Sequence, residues 1–239
     1  METFIHRADE RGIAEHGWLH SRFSFSFAEY HNRERMGFGV LRVINDDIIE
    51  PSSGFGMHPH RNMEIITIVT KGSLEHKDSV GNHGIITAGQ IQYMSAGSGV
   101  HHSEYNPSSQ ERVELFQIWI IPQTKGLTPR YEERDFRDLD IENRWALIVS
   151  GDGREGSMPI AQDASIMTAR LHPGDTLVSD PIKTGHGRLL LVIDGKANAC
   201  GHTLGRRDEM QVMGDESFEI TAETSTHLLL FDVPMEYNY

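Results

Sequence analysis

Residues 58–72, HPHRNMEIITIVTKG, together with residues 96–104, AGSGVHHSE, decide the fold. In the first stretch two histidines stand two apart, just before a run of Ile, Val and Thr. In the second, His102 and Glu104 stand two apart after a glycine-rich turn. The side-chain period of a strand is two, so residues i and i+2 project from one face. His58 and His60 therefore point one way together, and so do His102 and Glu104. Set side by side with those faces inward, the two strands bring three imidazoles and one carboxylate to a point. That donor set suits one divalent transition ion per chain, Fe(II) first, with Mn, Co, Ni, Cu or Zn as other occupants. Four protein ligands leave up to two positions open in an octahedral shell, whereas on zinc they often close a structural site.

Neighbouring groups compete for the same role. His101 has the opposite strand phase to His102 and faces away. His76 reads as a polar strand residue. Glu64 shares the even phase of His58 and His60; it ranks behind Glu104 as a ligand, with support of the ligands as its other role. Pro59 lacks an N–H, which places it at a strand start, an edge or a bulge, here at the mouth of a barrel. The turn Ala96–Val100 has no Lys or Ser/Thr in phosphate-loop spacing, so it reads as a tight turn that delivers His102 to the interior.

Outward from these stretches the same texture continues. Short runs rich in Val, Ile, Thr and aromatics recur, among them Val113–Ile121, Ser165–Leu171, Leu189–Asp194 and His227–Val233, with Gly, Asn, Asp and Ser between them. Such spacing predicts an all-β sandwich or barrel with few, short helices. Residues 122–140, PQTKGLTPRYEERDFRDLD, are charged, carry two prolines and lack strand periodicity. They read as a linker dividing the chain into an N-terminal domain, 1–130, and a C-terminal domain, 131–239. Lys71-Gly72 with Gly89 in the first half is echoed by Asp194-Gly195 with Gly214 in the second, as a duplicated β domain would produce.

Composition bounds the function. With 239 residues and 38% apolar content the chain can build two real cores. A formal charge of −13 repels phosphate backbones, which argues against direct nucleic-acid binding. The single cysteine, Cys200, excludes an intrachain disulfide and suits a reducing compartment. No apolar stretch approaches membrane-spanning length, so the expectation is a soluble cytoplasmic protein.

At these residues the chain resembles the cupins. The first cupin motif matches His58-Pro59-His60, Glu64 and Gly72, with the glycine one place late. The second matches Gly89, Gly97, His102 and Asn106, with the turn to His102 two residues longer than usual. That longer turn, followed by GVHHSEYNPS (99–108), is similar to the pirin family, as are HPHRNMEIITIVTKGSLEHKDS (58–79) and FSFAEYHNRERMGFGVLRVINDD (25–47). The resemblance implies a bicupin of two tandem antiparallel β-barrel (jelly-roll) domains. It also implies a ligand set of His58, His60, His102 and Glu104, and a degenerate second cupin without metal. Its implied activity is that of the bacterial pirin-type quercetin 2,3-dioxygenases. There a flavonol-like aromatic substrate binds the ion, Glu104 takes its proton, and dioxygen opens the heterocycle with release of carbon monoxide. Phe38, Phe55 and Met63 are expected to line the pocket. The alternative the family implies is a metal- and redox-dependent regulatory protein acting through protein partners.

Overall fold

The computed structural model describes residues 1–236, and they form two compact all-β units. The first comprises Gly12–Gly37 and Leu41–Asp138. Its larger sheet has seven antiparallel strands in the order Arg130–Asp135, Gln90–Ser95, Glu64–Lys71, Val113–Ile120, Leu41–Ile49, Leu19–Phe23 and Gly12–Glu15. A second sheet has four: Gly54–His60, Val100–Tyr105, Ser73–Asp78 and His83–Thr87. Both contribute to one apolar cluster, in which Leu19, Ile49, Val69, Val113 and Leu115 meet Leu74, Ile86 and Phe55. The result is a jelly-roll sandwich rather than a closed barrel.

The inner face of the larger sheet is layered. The cluster just named closes one end. At the other, Ile65, Met94, Ala96 and Val100 pack with Met63, Trp119 and Tyr131. Between them strand register sets Asn45, Gln117, Thr67 and Gln92 in a transverse row, all four buried. A polar row in such a place costs stability unless its members bond to one another or to something they enclose.

The second unit comprises Met1–Arg11, Phe38–Val40 and residues from Leu139 onward. Its seven-stranded sheet runs Glu2–His6, Glu209–Met213, His186–Asp194, Thr226–Pro234, Ser165–Leu171, Ala146–Ser150 and Met158–Pro159; the last pair is parallel. Its four-stranded sheet runs Thr176–Val178, Glu219–Ala222, Ala197–Ala199 and His202–Leu204. Between the sheets lies an apolar core that includes Leu190, Val192, Met210, Ile220, Leu228 and Leu230.

The repeat heard faintly in the sequence is structural. Gly72, at φ +75°, ends the strand Glu64–Lys71, and a Cβ there would sit 2.6 Å from the Arg112 carbonyl oxygen. Gly195, at φ +88°, ends His186–Asp194, and its Cβ would sit 2.1 Å from the Ser225 carbonyl oxygen. Each glycine lets the chain turn against the residue that opens the neighbouring strand, with no room for a side chain.

Three details differ from the sequence reading. The units divide between Asp138 and Leu139, not at residue 130, and residues 1–11 belong with the second unit. Arg130–Asp135, read as linker, is an edge strand paired with Gln90–Ser95. Edge strands in soluble proteins often carry charge, which hides them from a search for apolar alternation. Phe38, expected in the pocket, lies in the short segment 38–40 of the second unit, where the Val40 N–H donates to the Pro234 carbonyl at 3.0 Å, and not in the unit that carries the histidine cluster. Helices are as scarce as expected: the described residues contain two three-residue 3-10 turns, Ala8–Glu10 and Arg154–Gly156. No helix is long and apolar enough to cross a membrane.

Candidate metal centre

Strand pairing builds the centre. Gly54–His60 and Val100–Tyr105 run antiparallel with His58 opposite His102 and Val100 opposite His60. The three rings close on one another, with centroids 4.4 Å apart for His58–His102 and 4.8 Å for both His58–His60 and His60–His102. Pro59 sits in an edge strand, where its missing N–H costs no ladder bond. His101, opposite Pro59, is exposed, as its phase requires. A bulge shifts the register between His102 and Glu104, so Glu104 faces Phe55 rather than Gly56. The extra residue turns Phe55 inward, its ring 6.3 Å from that of His58. Met63 lies in the apolar cluster that includes Trp119, whose ring is 4.8 Å from His60.

Tautomers follow from the hydrogen bonds. Nδ1 of His58 donates to the Gly56 carbonyl at 2.7 Å, which leaves the Nε2 lone pair available. Nε2 of His60 and Nε2 of His102 are buried and have no hydrogen-bond partner among the described residues. Two orphaned imidazole nitrogens beside a third free lone pair fit a divalent ion and fit little else. Burial, then the charge of His58, pushes His60 down to about 4. Burial, then His58, His60 and His76, takes His102 to about 2. Both rings are thus held neutral, the form in which imidazole binds metal.

Glu104 is buried beneath this trio. Gln117 Nε2 donates to its Oε2 at 2.9 Å, while Gln92 Nε2 and the Thr67 hydroxyl donate to Oε1 at 3.3 and 3.4 Å. Burial, reinforced by the charge of Asp47, raises its carboxyl to about 7 against the opposing pull of those donors. Potential ligand atoms form two overlapping triads, His58/His60/His102 and His76/His102/Glu104, each within 4.8 Å of one another. His102 belongs to both.

Two sequence readings change here. Glu64 does not point into the centre; it is buried on the opposite face of its strand, where Tyr93 and Ser95 donate to its carboxylate. The even phase was carried across Arg61–Met63, where Asn62 adopts φ +51° and breaks the count. His76 is no ordinary strand residue, being fully buried and stacked on Tyr131 at 4.5 Å. Thr67 and Gln117 each interrupt the apolar inward phase of their strands, a signal the sequence carries, whereas Gln92 shares its phase with Gln90 and Met94 and gives none.

Two consecutive jelly-roll units, one of them enclosing a histidine cluster from an HxH strand and an HxE strand, define a bicupin. Profile comparison matches the pirin family over residues 6–120 and a quercetinase C-terminal cupin domain over 147–233. The chain is 43% identical to a quercetin 2,3-dioxygenase of Escherichia coli K12 over 97% of its own length and 98% of that protein. It is 39% identical to a pirin-like protein of Caulobacter vibrioides over 94% of its length and 96% of that protein. The E. coli bacterial pirin YhhW, crystallised in complex with nickel(II), superposes with a TM-score of 0.93 at 42% identity, over 98% of this chain and 99% of that one. The chain belongs to the pirin family.

Proposed function

We propose that this chain is a metal-dependent dioxygenase that opens the heterocycle of a flavonol such as quercetin with dioxygen and releases carbon monoxide. The observation that carries the reading is the trio of converging imidazoles, two of them with buried and unpartnered Nε2 atoms, in a chain 43% identical to a quercetin 2,3-dioxygenase. In this reading His58, His60, His102 and Glu104 would hold one divalent transition ion in the first unit, Fe(II) before Mn, Co, Ni, Cu or Zn, and the second unit would hold none. When bound, the ion lowers the pKa of a flavonol hydroxyl and offers open positions for substrate and dioxygen. Glu104, at the floor of the cluster, receives the hydroxyl proton as general base. Gln117, Gln92 and Thr67 hold its carboxylate in place as it does so. Phe55, Met63 and Trp119 supply apolar walls against which a planar aromatic ring packs.

The test is aerobic consumption of quercetin by metal-quantified protein, with carbon monoxide detected and metal-free protein as control. Metal-dependent loss of quercetin with carbon monoxide is expected; no turnover with any of the six ions loaded would overturn the reading. Glu104→Gln should retain metal at least in part while turnover falls by about 10²–10⁴, the usual cost of a lost general base. Unchanged turnover would remove Glu104 from that role.

A further inference from the structure

Behind His102, on the side away from His58 and His60, lies a second histidine with a carboxylate behind it. Strand register sets His76 opposite Glu104 and Asp78 opposite His102. The His76 and Asp78 side chains are 0% and 1% exposed. Nε2 of His76 lies 3.3 Å from Asp78 Oδ2. A carboxylate only accepts, so His76 carries its hydrogen on Nε2 and presents Nδ1 as an acceptor. Nδ1 of His102 lies 3.5 Å from that acceptor, and Gln92 Nε2 lies 3.4 Å from it. His102 must then carry its own hydrogen on Nδ1, which directs its Nε2 lone pair toward His58 and His60. Every donor and acceptor along the line runs in one direction.

The line is also held rigidly. Tyr131 stacks on His76 with 22° between the planes, and its hydroxyl, which donates to the Glu133 carboxylate, lies 3.2 Å from Gln92 Oε1. Asp78 Oδ1 accepts from the Val80 and Asn82 N–H groups at 3.0 and 2.9 Å, and Oδ2 accepts from Asn82 Nδ2 at 2.8 Å. This carboxylate is therefore fixed by its own turn before it meets the imidazole.

We infer that His76 and Asp78 are positioning residues, a relay that fixes the tautomer of His102 and strengthens its hold on the ion. Partners of this kind behind a ligating histidine fix the ring and raise its basicity, and their loss typically weakens metal binding 10–100-fold. The inference rests on the metal reading above. A rival use of the same residues is a second ion held by His76, the other nitrogen of His102 and Glu104. The directions of the hydrogen bonds argue against it, since His76 Nδ1 already accepts.

The experiment measures Ni(II) binding to the full chain by competition with a chromophoric chelator, and records the visible spectrum of the Co(II)-loaded protein. Wild type should take up one equivalent of Ni(II). His76→Phe, which keeps the stack on Tyr131 and leaves the 78–82 turn alone, should weaken binding by about 10–100-fold and shift the Co(II) bands. Asp78→Asn should fall in the same range. His76→Gln, whose amide oxygen restores an acceptor, should recover part of the loss, which a merely space-filling role would not predict. Ni(II) affinity within twofold of wild type and unchanged Co(II) bands in both His76→Phe and Asp78→Asn would overturn the relay while leaving the centre intact. Two equivalents in wild type and one in His76→Phe would make His76 a ligand and overturn it as well. Failure of wild type to bind Ni(II) would remove the centre, and the relay with it.

Discussion

The two units share a topology and differ in what they enclose. Counting five residues back from Gly72 gives Thr67, and five back from Gly195 gives Leu190. Counting five on from Arg112 and from Ser225 gives Gln117 and Leu230. Register completes each row, Thr67 pairing with Gln117 and Gln92, and Leu190 with Leu230 and Met210. A polar row in one unit is thus an apolar row in the other. The smaller sheets show the same exchange. Where His58 faces His102 in the first unit, Leu177 faces Ile220 in the second, and both join its core. One sandwich has spent its centre on ligands and the groups that hold them, and the other has filled its centre with hydrocarbon.

The sharpest way to break that contrast is to move metal binding. His60→Ala should abolish stoichiometric metal in protein purified and analysed by mass spectrometry, because it removes one of three imidazoles. His227→Ala, in the second unit, should leave metal content unchanged. Equal loss from both would show that the second unit takes part.

Stability should split the other way. Leu230→Ala leaves a cavity in a fully apolar row and should cost about 2–5 kcal/mol in denaturant unfolding. Thr67→Val at the matching row conserves shape and removes one hydroxyl, and should cost on the order of 1 kcal/mol. Similar losses at the two positions would mean that the polar row is packed and coupled as tightly as the apolar one.

A smaller, pH-dependent effect in the second unit comes from His227. Burial, then the charges of Arg170 and Arg207, pushes His227 down to about 4. The unfolded chain binds that proton near pH 6.5, so folding stability is fully present above that pH and is lost as pH falls toward 4. The contribution is on the order of 2–3 kcal/mol, and His227→Gln should make the profile less steep across that window, leaving the part that His60 and His102 contribute. A profile identical to wild type would show that His227 is not held neutral in the folded state.

Much of the centre was legible because a strand repeats every two residues, and HPH and HSE each fit within one strand. What the period could not carry was lost. Phase counted through the turn at Asn62 sent Glu64 to the wrong face, and Phe55, expected in the pocket, reaches the His58 ring through a bulge that simple alternation does not show. His76 was recoverable in principle, since Leu74, His76 and Asp78 alternate with Glu75 and Lys77 and so share the phase of a core leucine. The charged edge strand 130–135 left no apolar signal. The membership of residues 1–11 in the second unit left none either, because its partners lie some two hundred positions away along the chain.

That last pairing governs how the molecule can be made. Glu2–His6 takes in the second unit the sheet position that Arg130–Asp135 takes in the first, but its partner is Glu209–Met213. At elongation rates of about 5–20 residues per second, the strand waits roughly 10–40 s on the ribosome before its neighbour has been translated. The first unit, whose strands all lie between residues 12 and 135, has no such delay. A bulky fusion placed ahead of residue 2 should therefore disturb the last-made sheet of the chain and leave the histidine cluster to form on schedule.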